Sequence, residues 1–115
     1  MKVVEWYMTS MKEESTEKLY VVVNEKLSSS QQAVQAGHAI AAFLLKHPNT
    51  QWQNGHLVYL RDTPNWQDNM YFSWLQNCSL HQYAEFKEPD IGNKITAYAC
   101  FGPHTGGAMK GKKLV

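Results

Sequence analysis

The sequence predicts an α/β domain built on a mixed sheet of four strands, and the spacing of its apolar residues carries this prediction. Residues 19–23 and 56–61 are short apolar segments, and a long helical pattern separates them. A second helical pattern, residues 66–77, precedes two further strand patterns, residues 80–86 and 94–101. In the order β-α-β-α-β-β, the helices make parallel crossovers and the last two strands form an antiparallel hairpin. The sheet is therefore expected to be mixed.

The most informative segment, residues 18–48, combines the first strand with the helix that follows it. The strand contains three consecutive valines, whose β-branched side chains suit a pleated surface. Its continuous apolar run predicts burial on both faces. Serines at positions 28–30 then offer side-chain oxygens that can cap the first amide groups of a helix. Apolar residues recur at helical spacing until Pro48 ends the helix.

Turn-forming residues separate the later elements. Residues 49–55 form a loop, and residues 62–65 form a turn that contains a proline. The last two strands are joined by residues 88–93, where Gly92 and Asn93 can adopt positive φ. Gly-Pro at 102–103 then ends the sheet.

The chain is predicted to have three parts: a lead-in of residues 1–17, the α/β domain of residues 18–103, and a flexible basic tail of residues 104–115. The 115 residues are 43% hydrophobic and 12% aromatic, which is typical of a globular domain. No stretch approaches the roughly 20 apolar residues of a membrane span. The N-terminus has no apolar core of signal-peptide length. We expect a cytoplasmic protein with no membrane partner.

The two cysteines, Cys78 and Cys100, are too few for a disulfide framework. Cys100 lies inside a strand pattern and is expected to be a buried thiol. Cys78 and His81 are one helical turn apart, but two candidate ligands without a third make a poor metal site. The sequence therefore predicts no metal and no other cofactor.

Charge is unevenly distributed along the chain. Residues 1–103 carry eight basic residues against ten acidic ones, whereas residues 104–115 carry three lysines and no acid. A slightly acidic folded part argues against broad electrostatic attraction to nucleic acid. The tail is rich in glycine and lysine, and we expect it to be a solvated end.

Gln35 and His38 are the candidate catalytic pair within the helical pattern. They are three positions apart, so their side chains are neighbours on one helical face. His38 can act as a general base or orient a water molecule, and Gln35 can hold that water or a substrate carbonyl. The alternative is a polar pair that fixes the helix to neighbouring backbone through hydrogen bonds.

The serines that precede this helix can be interpreted in two ways. One of them can be a nucleophile near backbone amides that stabilise an oxyanion. However, Ser30 and His38 are eight positions apart, which is about 12 Å along a helix. A Ser-His dyad within this helix is therefore disfavoured, and capping is the preferred interpretation.

An acidic group surrounds the predicted final hairpin and contains Glu85, Glu88 and Asp90. One of these carboxylates can orient His38 across the sheet or activate water. Turn chemistry and solvation are the alternative, and they explain Asp90 without any catalytic role. Four aromatic residues can stack on nucleobases or cover the core, and the second is the more common use: Trp52, Trp66, Tyr71 and Trp74.

The order of these motifs resembles the type 2 peptidyl-tRNA hydrolases, the archaeal and eukaryotic class. The resemblance covers residues 18–103, and the matching residues are Val21-Val22-Val23, Ala33, Gln35, His38-Ala39, segment 55–60 and segment 96–103. It implies a three-layer α/β sandwich around a four-stranded mixed sheet, often dimeric. It also implies hydrolysis of the ester that joins a peptide to tRNA, or to a similar nucleotide-linked substrate.

The chain departs from this family at the start of the first helix. The family has a lysine-glycine-lysine turn there, and counting back from Gln35 places Ser29 and Gln31 at the lysine positions. By position, Ser29, Ser30 and Gln31 become the candidate substrate-binding residues, but their neutral side chains cannot replace lysine at a phosphate. The family aspartate near the third strand matches either Glu85 or Asp90.

Two functions follow from the resemblance and its departures. The first is an ester hydrolase of the peptidyl-tRNA hydrolase type, with His38, Gln35 and either Glu85 or Asp90 at the catalytic site. The second is a catalytically inactive binding or regulatory module that retains the fold. A plain RNA-binding protein is disfavoured by the acidic charge of residues 1–103.

Overall fold

Five strands form one mixed sheet in the order β3-β4-β1-β2-β5 in a computed structural model that describes residues 17–68 and 70–115. The strands are β1 (Leu19–Asn24), β2 (Leu57–Asp62), β3 (Gln82–Glu88), β4 (Lys94–Phe101) and β5 (Lys113–Leu114). The helices are α1 (Ser29–Lys46), α2 (Met70–Asn77) and α3 (Thr105–Ala108), with short 3-10 helices at Pro64–Asp68 and Pro89–Ile91.

The directions of the strands confirm a mixed α/β sheet. β1 runs parallel to β2, and β4 is antiparallel to both β1 and β3. β1, β2 and β3 therefore share one direction and end at the same edge of the sheet. Residues 17–68 and 70–115 form five strands rather than the predicted four, because Lys113 and Leu114 pair with Arg61 and Leu60 at the outer edge of β2.

The central strand β1 is buried on both faces, as its apolar run predicts. Val21 and Val23 join a core with Ala36, Ala39 and Phe43 of α1 on one face of the sheet. Val22 points to the other face, into a core that contains the following residues from α2, α3 and the first 3-10 helix: Phe72, Leu75, Ala108 and Trp66. Helices thus cover both faces of the sheet.

Helix α1 begins at the predicted serine cluster and ends before Pro48. Ser28 is the N-cap: its Oγ accepts from the Gln31 amide, while the Gln31 side chain accepts from the Ser28 amide, which completes a capping box. At the other end, the His47 ring nitrogen Nε2 donates to the Tyr83 carbonyl across 3.0 Å. Both ends of the helix are therefore fixed by hydrogen bonds.

The predicted turn between the last strands is shorter than expected, because Glu88 belongs to β3 rather than to the turn. A 3-10 turn, Pro89–Ile91, follows the strand. Gly92 and Asn93 then have φ values of 76° and 58°, which confirms the predicted left-handed conformation at both positions. A register shift between Phe86 and Lys87 interrupts the ladder with β4.

Residues 104–115, which we expected to form a flexible tail, contain α3 and β5. Thr105, Ala108 and Met109 are buried, and Lys112 forms a 2.8 Å ion pair with Asp62 at the end of β2. Residues 18–103 are therefore not the whole packed unit. The predicted lead-in at 1–17 lies outside the described residues except for Glu17. No described helix combines the length and apolar character needed to cross a bilayer.

Replacing Phe43 with alanine should strongly destabilise the protein. The Phe43 ring is fully buried and makes an edge contact with Phe101, so its removal leaves a cavity between α1 and the sheet. The expected loss is about 3–5 kcal/mol of the free energy of unfolding in a urea titration. Leu45→Ala is the matched control, because Leu45 is 84% exposed on the same helix. Similar losses in both variants would contradict this packing.

Alkaline pH should unfold the protein because three buried acids resist ionisation. Burial raises the pKa of Tyr83 and Tyr98 above the ordinary tyrosine value, and it raises the pKa of the Cys100 thiol to about 12. Tyrosines of the unfolded chain lose their protons near pH 10. Above that pH the unfolded state binds fewer protons than the folded state. The free energy of unfolding then falls by about 1.4 kcal/mol per pH unit for each group.

Urea titrations between about pH 9 and about pH 11 measure this fall. Tyr98→Phe removes one titrating group and should make the fall shallower. An unfolding midpoint that stays constant over this range would contradict the burial of these groups.

Candidate functional site

Gln35 links α1 to the two neighbouring strands β3 and β4. Its Nε2 donates to Glu88 Oε2 across 2.9 Å, and its Oε1 accepts from Thr96 Oγ1 across 2.6 Å. Gln35 is only 9% exposed and Thr96 only 1%. Both ends of the amide are thus satisfied where water has little access, as a buried amide requires.

The register of α1 explains why a glutamine is buried at this position. Gln32, Gln35, Ala36, Ala39 and Phe43 form the buried face of the helix. Towards the C-terminal end this face meets the apolar core, whereas towards the N-terminal end it meets polar partners. Gln32 Nε2 there donates to the Leu27 carbonyl across 2.8 Å. Of the polar pair, Gln35 is thus the member that fixes α1 through hydrogen bonds, and its partners are side chains rather than backbone.

His38 lies one turn after Gln35 and is exposed to solvent. Its imidazole stacks on the Phe86 ring, with a centroid separation of 4.3 Å and an interplanar angle of 14°. Phe86 and Glu88 alternate on β3, so they project towards the same helix. Gln35 and His38 are thus neighbours on α1, as their spacing predicts, and the structure places both against the end of β3.

Glu85 lies on the opposite face of the sheet from His38. Its Oε1 accepts from the Tyr83 hydroxyl across 2.9 Å and from Gln76 Nε2 across 3.1 Å, and its Oε2 lies 3.5 Å from Lys87 Nζ. Strand alternation explains this placement, since Tyr83 also belongs to the core that α2 covers. The structure therefore does not bring Glu85 to the His38 side.

Asp90 is exposed in the 3-10 turn after β3. Its backbone amide donates to Glu88 Oε1 across 3.4 Å, so Glu88 caps the turn while it also binds Gln35. Of the three acids around the hairpin, Glu88 is the one that reaches the candidate pair. Side chains alternate along a strand, so Glu88 shares a face with Ala84, whereas Glu85 lies on the other face. This alternation was the signal in the sequence that could have selected Glu88, and Ala84 packs in the core that α1 covers.

The predicted substrate-binding residues lie at the start of α1 and mostly serve the cap. Gln31 Oε1 accepts from the Ser28 amide across 3.1 Å, and the hydroxyls of Ser28 and Ser30 are 3.4 Å apart. Ser29 is exposed in the first turn. These residues are about two turns of helix from His38, so they form a separate part of the same edge.

The chemistry available at this edge is concentrated in one side chain. The Gln35 amide is occupied by two hydrogen bonds, and both Glu88 oxygens accept hydrogen bonds. The exposed imidazole of His38 is accessible to a ligand and can exchange a proton with it. Within residues 17–68 and 70–115, no three His, Cys, Asp or Glu side chains come together as a metal site.

Comparisons with protein-family models and with curated proteins found no relative of this chain: no family model matches it, and no curated protein has a significantly similar sequence.

Thr96→Val should destabilise the protein without changing the shape of the side chain much. The substitution removes the hydroxyl that donates to Gln35 and leaves the buried carboxamide oxygen without that partner. The expected loss is about 1–3 kcal/mol of the free energy of unfolding. Thr63→Val on the exposed loop after β2 is the matched control. The Thr63 hydroxyl donates to Asn65 where water can replace the lost partner, so stability should change by less than about 0.5 kcal/mol. Equal stability of Thr96→Val and the unchanged protein would show that the hydrogen bond from Thr96 to Gln35 is not formed.

Proposed function

We propose that this chain is a peptidyl-tRNA hydrolase-like protein that cleaves the ester between a peptide and tRNA, with His38 as the group that activates water. The single observation that carries the proposal is the exposed His38 imidazole stacked on Phe86 beside the Gln35–Glu88 hydrogen bond. The layered arrangement of a mixed sheet with helices on both faces supports the proposal, while the sheet has five described strands where the resemblance implies four. A cytoplasmic location suits such a substrate.

His38 is the general base in this proposal. Stacking on Phe86 restricts the ring at a centroid separation of 4.3 Å, while solvent exposure leaves it open to the attacking water. Imidazole is the commonest general base near neutral pH, and proton transfer by a positioned base contributes about 10²–10⁴ to a rate. In this step water attacks the carbonyl carbon while His38 takes its proton. The ester C–O bond then breaks, and the imidazolium returns the proton to the ribose oxygen that leaves.

Gln35 and Glu88 are positioning residues rather than catalytic ones. Their 2.9 Å hydrogen bond ties α1 to the end of β3, and this tie sets the distance between His38 and Phe86. Glu85 and Asp90, the acids expected from the sequence, do not share this contact. Ser29 and Ser30, at the same edge, are the polar groups nearest the N-terminus of α1 and contact the nucleotide part of the substrate in this proposal.

A binding or regulatory module on the same fold is the second candidate, and one observation favours it. Gln31, at a family lysine position, is held in the capping box with Ser28, and Ser29 carries no charge. Neutral side chains at these positions leave a phosphate without a cation there. A module of this kind binds its nucleotide-linked partner without turnover, and a homodimer is compatible with either candidate.

Release of peptide from peptidyl-tRNA by the purified protein tests the first candidate. His38→Ala should lower turnover by about 10²-fold or more, because the water then lacks its base. His56→Ala is the matched control, since His56 precedes β2 at the opposite end of the strands, and it should retain activity. Circular dichroism of both variants checks that the fold is retained.

Three outcomes are informative in this assay. Turnover that depends on His38 and not on His56 supports the hydrolase. Binding of peptidyl-tRNA with no turnover above that of His38→Ala overturns hydrolysis and supports the binding module. Turnover that is equal in both variants contradicts the role of His38.

A further inference from the structure

An open cavity of about 590 Å³ lies between α2 and the segment that begins at His104. It is on the face of the sheet that α2 and α3 cover, whereas His38 is on the face that α1 covers. Its volume lies within the range of about 300–1,000 Å³ that is usual for small-molecule sites. The cavity is therefore a second candidate site, independent of the proposed hydrolase site.

One wall of the cavity is an apolar face of α2 that points away from the core. Met70 and Tyr71 are 78% and 55% exposed, and Trp74, one turn later, is half-buried. The buried face of the same helix is formed by Phe72 and Leu75. An eight-residue helix with apolar side chains on both faces has more apolar surface than the core uses.

The described aromatic residues around α2 thus have two different environments. Trp66 is only 3% exposed and packs edge-on against Tyr98, so it belongs to the core. Tyr71 and Trp74 line the cavity instead. The Trp74 ring contacts the His81 ring at a centroid separation of 4.6 Å and an interplanar angle of 50°. An indole held by this contact, beside a phenol that is 55% exposed, gives a surface on which a flat ring can stack.

The opposite wall carries cationic and hydrogen-bonding groups. Lys110 and His104 line it, together with Gly107 between them. A β-carbon added at Gly107 would meet no atom within 4 Å, so the wall is open at this point and backbone is accessible. Lys112, by contrast, forms an ion pair with Asp62 at 2.8 Å and is not among the residues that line the cavity.

From these two walls we infer that the cavity binds a small molecule in which a flat aromatic ring carries an anionic group. The ring stacks on Tyr71 and Trp74, and the anion is held by the Lys110 ammonium group with a hydrogen bond from His104. A phosphate and a carboxylate share this chemistry, and a nucleoside monophosphate and an aromatic acid are the two sources.

Amide chemical shifts of the full chain, followed in titrations with AMP, adenosine, inorganic phosphate and indole-3-acetate, test the inference. AMP or indole-3-acetate should bind saturably, with shifts at residues 70–74 and 104–110. Adenosine and phosphate should each bind at least about tenfold more weakly, because each reaches only one wall. Saturation by AMP alone identifies the phosphate source, and saturation by indole-3-acetate alone identifies the carboxylate source.

Three substitutions at exposed positions separate the two walls. Lys110→Gln should weaken the anionic ligand by about tenfold and leave adenosine unchanged, with Lys113→Gln as the control outside the cavity. Tyr71→Ala should weaken every ligand that contains a ring. Gly107→Leu should fill the open wall and abolish binding, while Gly37→Leu, at an open position on α1, should not.

Several results would overturn the inference. The first is the absence of saturable binding of both ring-bearing anions up to about 5 mM, a concentration well above the dissociation constants of ordinary small-molecule sites. The second is a set of chemical shift changes that maps outside the two walls. The third is unchanged affinity in Gly107→Leu. None of these results bears on peptide release from peptidyl-tRNA, so this inference and the proposed function fail independently.

Discussion

Burial of β1 on both faces is the constraint on which the rest of the fold depends. Val21, Val22 and Val23 are at most 1% exposed, so each face of the strand requires a cover. The backbone of β1 pairs with β2 on one side and with β4 on the other, which satisfies its polar groups. α1 covers one face, and α2, α3 and Trp66 cover the other. Both candidate sites are consequences of this arrangement, since one lies on each face.

The Gln35 hydrogen bonds connect this core to the candidate catalytic edge. A buried amide that loses a partner costs about 1–3 kcal/mol, so α1 is held where Glu88 and Thr96 can both reach Gln35. That position places His38 against Phe86, one turn further along the helix. The two residues of the polar pair thus have different roles: Gln35 stabilises the structure, while His38 remains accessible to a ligand.

Much of this could be predicted from the sequence, because the signals are local. The valines of β1, the serine cap of α1 and the Gly92-Asn93 turn each depend on residues within a few positions of one another. Two expectations, the four-stranded sheet and the flexible tail, failed because both depend on distant contacts of the segment after Pro103. The glycines of this segment suggest a flexible end. However, Met109 is buried, and Lys112 pairs with Asp62, 50 positions away, so the segment packs on the domain.

The amino-acid order alone determined the mixed α/β character and the shared helical face of Gln35 and His38, since spacing along one element is a property of neighbouring residues. The tertiary structure selected Glu88, rather than Glu85 or Asp90, as the acid that meets Gln35 across 53 positions. It also left Tyr71 and Trp74 in an open cavity, while Trp66 entered the core. The pairing register of the strands decides which residues share a face, and that register arises only when distant segments pack.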